Sequence, residues 1–248
     1  MLRGTAPTDE LVAHVATMAS FDAAGLSLPD TLMFQAMFEI RVAARETSLP
    51  AGLHPTNPPT LVVQGWRCPD SPWGPFTCAQ ARVACRSGLR PRGMVQGCVV
   101  DNAAAVEALR RDWGFPAQFG AVRLDANYHD ARLEVAVGGA IAIGLHAFDP
   151  VPLGLDDVSY STTVALAHTP RGLRLVQIDA DLTVARAERL TARMPTFDAA
   201  AFGVHPSVEI AHPVSASVSR GSLALHPLRY VCRPDELAFT GTESVSVS

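Results

Sequence analysis

Alternation of apolar and polar residues runs through most of the chain and predicts many short β-strands. Glu188 to Met194 fits either a further strand or a short helix. The other segments with strand character are Met33 to Val42, Leu61 to Trp66, Phe76 to Arg86, Met94 to Val100, Ala121 to Leu124, Arg132 to Val137, Ala140 to His146, Thr162 to Ala167, Leu173 to Val184 and Ser222 to Leu225.

Helical spacing is clearest in two segments. Leu11 to Ala19 follows Thr8-Asp9, a pair that can cap a helix, so a helix is predicted there. Asn102 to Asp112 is rich in Ala and is followed by Gly114 and Pro116, which end a helix. Many strands with so few helices predict an α+β, β-rich fold, built on a barrel or a strongly curved sheet.

The chain shows no internal repeat and no linker that would divide it. We therefore predict a single domain over residues 1–248, with an N-terminal helical extension over 1–30. Residues 241–248 are mostly small and polar, which predicts a flexible tail.

Composition narrows the classes of partner. The formal net charge is -4 without a basic cluster, so neither nucleic acid nor membrane is expected as a partner. Charged residues make up 18% of the chain and hydrophobic residues 48%. A chain with this composition has a lightly charged surface with ample apolar area, part of which we expect to be buried between subunits. We therefore expect a homo-oligomer, a dimer or larger.

Cysteine usage and the first twenty residues bear on location. The five cysteines are odd in number and none lies in a C-x-x-C pair, which predicts reduced thiols and a cytoplasmic protein. No signal peptide is predicted, because Asp9, Glu10 and His14 interrupt the opening segment.

Lysine is absent from the sequence, and all twenty basic residues are arginine. A primary amine is the only side-chain group that forms an imine with a ketone. Schiff-base chemistry on a side chain is therefore excluded.

Three segments in the right order carry a resemblance to a known family: Pro50-Ala51-Gly52-Leu53-His54-Pro55, Ser71-Pro72-Trp73-Gly74-Pro75-Phe76, and Asp101-Asn102 followed by a helix and Trp113-Gly114-Phe115-Pro116. From about Met33 to about Pro227 the chain resembles the acetoacetate decarboxylase family. The resemblance implies a conical β-barrel with a buried central pocket, surrounding sheet, few helices and assembly into oligomers.

The family's ionisable groups are replaced at every matching position. Its catalytic lysine pair corresponds to Ala117 and Gln118, and one of its glutamates to Cys78. A second glutamate falls near Val63, with Gln64 beside it, and its arginine falls near Thr31. The resemblance thus implies a divergent member with a more neutral and more apolar pocket.

Strand alternation selects candidates for that pocket. Cys78, Gln80 and Arg82 share one face of their strand, and Gln64 and Trp66 share a face of the preceding one. Arg82 either pairs with a carboxylate such as Glu39, holds an acidic substrate group, or lies in solvent. The predicted catalytic residues are Gln118, Arg82 and Glu39, and the predicted substrate-binding residues are Cys78, Gln80, Gln64, Trp66, Ala117, Phe115 and Trp113.

Other kinds of site lack their signatures. The eight histidines show no H-x-H or H-E-x-x-H spacing, so no metal site is predicted. No G-x-S-x-G elbow and no phosphate-binding glycine loop occur, and no cofactor is predicted. Cys78 is expected to be a small buried hydrophobe rather than a nucleophile.

Three functions remain open. The favoured one is a biosynthetic enzyme that acts without a Schiff base on an apolar, keto- or polyketide-like small molecule. It would catalyse cyclisation, isomerisation or dehydration by enclosure and neutral hydrogen bonding. The alternatives are a decarboxylase or hydrolase with a new polar site around Arg82, Glu39 and a histidine, and a non-catalytic ligand-binding pseudoenzyme.

Overall fold

The computed structural model describes residues 2–11, 14–158, 160 and 162–245. The class is α+β and β-rich, as predicted. The strands are β1 Ala16–Thr17, β2 Leu26–Ile40, β3 His54–Pro55, β4 Thr60–Cys68, β5 Phe76–Ser87, β6 Arg90–Val100, β7 Ala117–Phe119, β8 Ala121–Ala126, β9 Asp130–Val137, β10 Ala140–Pro152, β11 Thr163–Thr169, β12 Gly172–Ile178, β13 Ala180–Phe197, β14 Ile210–Leu225, β15 Tyr230–Cys232 and β16 Thr242–Ser244. The helices are α1 Ala44–Thr47, α2 Ala103–Trp113, α3 Ala199–Phe202 and α4 Ala238–Gly241, with a 3-10 turn at Leu155–Asp157.

These strands form one sheet in the order β16-β15-β12-β11-β6-β5-β4-β2-β14-β13-β10-β9-β8. Most neighbours are antiparallel, whereas β11 and β7 run parallel to β6, and β1 runs parallel to β11. Twist curls such a long sheet onto itself, and its two faces enclose two apolar cores.

The first core lies where β8 packs back across β4 and β5. It contains Phe34, Val63, Ala79, Leu133 and Ile143. Because residues from β2, β4, β5, β9 and β10 meet there, this part of the sheet surrounds its own apolar interior.

The second core lies on the opposite face of β2, β4, β5 and β6. It contains Met33, Trp66, Cys98, Phe115 and Val176. The sheet closes around it because β12 ends next to the start of β13, whose first residue pairs with the last residue of β14. Strand β5 is therefore buried on both faces, and alternate residues enter different cores.

Helix α2 confirms the strongest helical prediction. The Asn102 side chain caps it by accepting a hydrogen bond from the Ala105 amide at 3.1 Å. Gly114 ends it in the left-handed conformation, with φ of 71°. The helix buries Val106 and Leu109 against the second core, and thereby fixes the start of β7.

The predicted N-terminal helix and the helical extension over 1–30 are wrong. Residues 8–11 form turns, and Ala16–Thr17 pairs with β11 as a parallel edge strand. Burial of Ala16 and Met18 against the second core explains the apolar spacing that suggested a helix. Val12 and Ala13 lie outside the described residues.

The predicted tail over 241–248 is also corrected. Thr242–Ser244 forms β16 on β15, and Glu243 accepts a hydrogen bond from Arg174 at 3.0 Å. The remaining residues, 246–248, lie outside the described part. Glu188 to Met194, left open above, is strand within β13. Within the described chain, no helix is long and apolar enough to cross a bilayer.

Candidate functional site

A row of carboxamides crosses the floor of the second core. Gln35 on β2 lies opposite Gln64 on β4, Gln64 lies opposite Gln80 on β5, and Gln80 lies opposite Cys98 on β6. Gln64 and Gln80 have no solvent exposure, and Gln35 is half-buried. Polar groups are costly in such surroundings unless they are hydrogen-bonded, so this row is a candidate site.

Gln80 is hydrogen-bonded at both ends of its amide. Its Oε1 accepts from Arg82 Nε at 2.9 Å and from a terminal Arg82 nitrogen at 2.6 Å. Its Nε2 donates to Cys78 Sγ at 3.5 Å. The amide orientation is thus fixed, with the oxygen held against the guanidinium.

Gln64 is satisfied only in part. Its Nε2 donates to Gln35 Oε1 at 3.1 Å and approaches Met33 Sδ at 3.3 Å. Its Oε1 is buried and accepts no hydrogen bond from the described residues. A buried acceptor in this state costs about 1–3 kcal/mol, so this oxygen is a candidate contact for a bound molecule.

Arg82 lies between two aromatic rings. Its side chain is 2% exposed, and its guanidinium carbon is 5.6 Å from the Trp66 ring and 5.3 Å from the Tyr160 ring. Such cation–π contacts stabilise a desolvated guanidinium. Gly93 gives the side chain its space, since a Cβ there would lie 3.1 Å from the Arg82 Cβ.

Aromatic side chains form one wall of the second core. Trp66 packs edge-on against Phe115, with ring centroids 6.3 Å apart, and Trp113 packs edge-on against Trp73 at 6.4 Å. The indole nitrogens of Trp66 and Trp113 and the Thr163 hydroxyl are buried without a hydrogen-bond partner among the described residues. The site therefore has donors as well as an acceptor to offer.

Two thiols border the carboxamide row. Cys78 Sγ lies 3.6 Å from Cys98 Sγ, and both residues are fully buried. The hydrogen bond with Cys78, together with burial, raises the pKa of Cys98 well above its ordinary value. Burial likewise raises the pKa of Cys68 to about 12. Cys98 and Cys68 are therefore neutral thiols near neutral pH and poor nucleophiles.

Of the alternatives left open for Arg82, an ion pair with Glu39 is not formed among the described residues. Arg82 lies opposite Val62 of β4. Glu39 of β2 lies further along the sheet, opposite Thr60 of β4 on one side and His212 of β14 on the other. Among the described residues no salt bridge joins the two side chains, and Gln80 holds the guanidinium instead. Glu39 is half-buried on the same face of β2 as Gln35.

Gln118 also lies outside the cluster. Strand β7 starts at Ala117, which lies beside Cys98 and belongs to the second core. The next residue, Gln118, is in register with Val99 of the first core, so its side chain points away from Gln80. Its predicted place in the same pocket as Cys78 and Gln80 is therefore wrong.

The structure thus brings together eight of the predicted residues in or beside the second core: Cys78, Gln80, Gln64, Trp66, Ala117, Phe115, Trp113 and Arg82. Sequence reasoning missed Gln35 and Cys98, although alternation along their strands could have found both. It also missed Tyr160 and Gly93, for which the sequence gives no signal. No group of three or more His, Cys, Asp or Glu is arranged to hold a metal within the described residues.

A cavity of about 340 Å³ opens on the surface between Leu32, Tyr128, Arg186 and Arg220. Its charged side chains neutralise one another, since Arg186 pairs with Glu188 and Arg220 is hydrogen-bonded to an acid on β2. Both arginines are exposed, so water screens them. The buried carboxamide row offers a more specific arrangement than this cavity.

Comparison with solved structures identifies the fold. No protein-family model and no curated protein matches the sequence. Acetoacetate decarboxylase from Legionella pneumophila superimposes with a TM-score of 0.71 over 84% of this chain and 86% of its own, at 18% identity. The chain has the acetoacetate decarboxylase-like fold. A second acetoacetate decarboxylase structure superimposes with a TM-score of 0.71 over 91% of this chain and 98% of its own, at 14% identity.

The enduracididine biosynthesis enzyme MppR shares the acetoacetate decarboxylase-like fold. Its complex with the condensation product of pyruvate and imidazole 4-carboxaldehyde gives a TM-score of 0.67 over 84% of this chain and 90% of that one, at 16% identity. On this scaffold the present chain holds no lysine, and its second core holds glutamines and Arg82.

Proposed function

We propose that this protein is a biosynthetic enzyme on an acetoacetate decarboxylase-like scaffold that acts on a keto- or polyketide-like small molecule without a Schiff base. The reaction class is cyclisation, isomerisation or dehydration. The second core, around Gln64, Gln80 and Arg82, is its active site.

One observation carries the proposal: a guanidinium and two carboxamides lie together, fully or almost fully buried, in an otherwise apolar core. Burying them is costly, and hydrogen bonds among themselves leave Gln64 Oε1 unsatisfied. Binding a polar ligand would offset that cost. The MppR complex supports the choice of ligand, because that neighbour holds a product derived from a keto acid.

The chemistry needs no amine. A guanidinium fixed by Gln80 would stabilise the negative charge that develops on a ketone oxygen when the enol form of a β-dicarbonyl attacks the carbonyl carbon, and the enol proton would pass to that oxygen. Enclosure would hold a flexible chain in a reactive conformation, an effect that can supply about 7 kcal/mol or more of a barrier. Gln80 would act as a positioning residue for Arg82.

The test is turnover of linear triketide and tetraketide thioesters, followed by chromatography and mass spectrometry. We expect products of unchanged mass or products that have lost water. Gln80→Leu releases Arg82 from its fixed position and should lower kcat on the order of 100-fold, the loss typical when an oxyanion loses a stabilising donor. Gln118→Leu is the matched control, because it makes the same change on the opposite face of the sheet, and it should leave kcat within about twofold.

Two outcomes would contradict the proposal. Turnover that survives Gln80→Leu unchanged would place the chemistry elsewhere. Binding of keto compounds without turnover would favour the alternative of a ligand-binding pseudoenzyme.

The proposal includes a single-domain, cytoplasmic enzyme that assembles as a dimer or larger. Apolar side chains stand exposed on β10 and β14, the two strands that flank β13, including Ile141, Val151 and Val214 at about half exposure. Contact with another subunit would cover them. Light scattering at micromolar concentration checks this point, and a monomer would contradict it.

A further inference from the structure

Two unsatisfied polar atoms lie two residues apart on the same face of β4. Gln64 Oε1 is a buried acceptor and Trp66 Nε1 is a buried donor, and neither has a hydrogen-bond partner among the described residues. Both residues have no solvent exposure. Buried polar atoms of proteins nearly always have partners, so an unsatisfied acceptor and an unsatisfied donor on one face of β4 indicate which groups a ligand would present to them.

A simple keto acid does not supply the hydrogen-bonding groups that these two atoms require. A deprotonated keto acid carries only acceptors and would leave Gln64 Oε1 unsatisfied. A ligand that satisfies both atoms needs a hydroxyl to donate to Gln64 and a carbonyl oxygen to accept from Trp66.

The surroundings favour a flat, aromatic ligand. Trp66 stands edge-on to Phe115, Met33 lies directly opposite Trp66, and the Tyr160 ring lies beyond the Arg82 guanidinium. Aromatic and thioether groups pack well against a planar π-system. Among the described residues of this wall, Arg82 brings the charge, and the Gln80 oxygen already binds it.

Burial decreases along β2 on the side of this position. On the face that carries Met33, burial falls from Met33 to Gln35 and Met37, which are both half-buried. A ligand can therefore approach over Gln35, whose side-chain oxygen already accepts from Gln64 Nε2.

We propose that the second core binds a hydroxylated aromatic or enolised ketone, with its hydroxyl donating to Gln64 Oε1 and its carbonyl accepting from Trp66 Nε1. This inference rests on the proposed function and narrows it to a class of substrate or product.

The experiment measures binding of matched probes to the full chain by NMR of the tryptophan indole N–H groups. The probes are meta-hydroxyacetophenone, meta-methoxyacetophenone and acetophenone. The Trp66 resonance is identified as the indole signal that disappears in Trp66→Phe. If that variant does not fold, Trp73→Phe and Trp113→Phe identify the other two signals instead. Chemical-shift titration gives the Kd of each probe and shows whether the Trp66 indole is hydrogen-bonded.

We expect the hydroxylated probe to bind about tenfold more tightly than the methoxylated one, the worth of one hydrogen bond to a buried acceptor. Gln64→Met removes the acceptor at similar volume and should abolish that preference. Trp66→Phe, followed through the indole resonances of the two remaining tryptophans, should weaken the binding of all three probes while keeping the preference for the hydroxyl. Gln118→Leu should change neither.

The outcomes separate the two proposals. If acetophenone shifts the Trp66 indole but the hydroxyl confers no preference, the ligand class is overturned and the site stands. If the preference exists but survives Gln64→Met, the assigned acceptor is overturned. If no probe and no linear polyketide perturbs the Trp66 indole, the proposed function itself fails.

Discussion

Gln80 holds Arg82 through two hydrogen bonds to a single oxygen, at 2.9 and 2.6 Å. The two residues are separated by one position on β5, so both point into the second core. A neutral amide thereby meets a buried cation in a part of the fold where the family resemblance places ionisable groups.

Removing the Gln80 amide should destabilise the protein. Gln80→Leu leaves part of a buried guanidinium unsatisfied, so the free energy of unfolding should fall by about 2–4 kcal/mol. Gln80→Glu supplies a carboxylate to the same nitrogens and should recover most of that loss. Urea denaturation measures both variants, and a Gln80→Leu protein as stable as the wild type would show that the contact is not formed.

Filling the space at Gly93 should displace Arg82. A Cβ there would lie 3.1 and 3.2 Å from the Cβ and Cδ of Arg82, closer than side chains normally approach. Gly93→Ala should cost about 1–3 kcal/mol as an overpacked core substitution and should impair turnover together with stability. Gly144→Ala is the control, because its nearest neighbour is a Thr196 atom at 3.4 Å, and its effect should be smaller.

Alkaline pH should destabilise the fold through its buried thiols. Burial raises the pKa of Cys85 from 9.0 to about 12. The folded state therefore keeps a proton that the unfolded state loses, and stability present below pH 9 declines as the pH rises toward 12. One such thiol contributes a slope of about 1.4 kcal/mol per pH unit.

Urea unfolding at a series of pH values above 9 measures that slope. Cys85→Ala should reduce it by the contribution of one proton. Val83→Ala truncates a neighbour on the same face of β5 without removing a titrating group, so its slope should equal that of the wild type. Equal slopes in all three proteins would show that Cys85 ionises normally.

Borohydride should not trap a ketone on a side chain of this protein. The chain contains no lysine, and only a primary amine forms the imine that borohydride reduces. Mass spectrometry after reduction with acetoacetate or pyruvate should show no adduct apart from one at the N-terminal amine. An adduct mapped to any internal residue would refute the exclusion of Schiff-base chemistry.

Periodicity in the sequence predicted much of the fold, because strands buried on at least one face keep their alternation. It placed Cys78, Gln80 and Arg82 on one face of β5, which the pairing with β6 confirms. The cap at Asn102 and the stop at Gly114 likewise identified α2. The roles of these residues in a reaction stay a prediction.

The failures have local causes. Ala16–Thr17 is an edge strand whose pairing with β11 overrides helical spacing. Gln118 was placed by resemblance, whereas the register of β7 beside β6 turns its side chain to the other face. The contact of Tyr160 with Arg82 joins positions 78 residues apart in the chain. Local sequence patterns do not predict contacts over such a separation.

A crystal structure of the protein with a bound hydroxylated aromatic ketone tests the central claim most directly. The account predicts ligand density in the second core, with the hydroxyl at Gln64 Oε1 and the carbonyl at Trp66 Nε1. Density instead in the surface cavity between Leu32, Tyr128 and Arg220, with the second core unchanged, would contradict it.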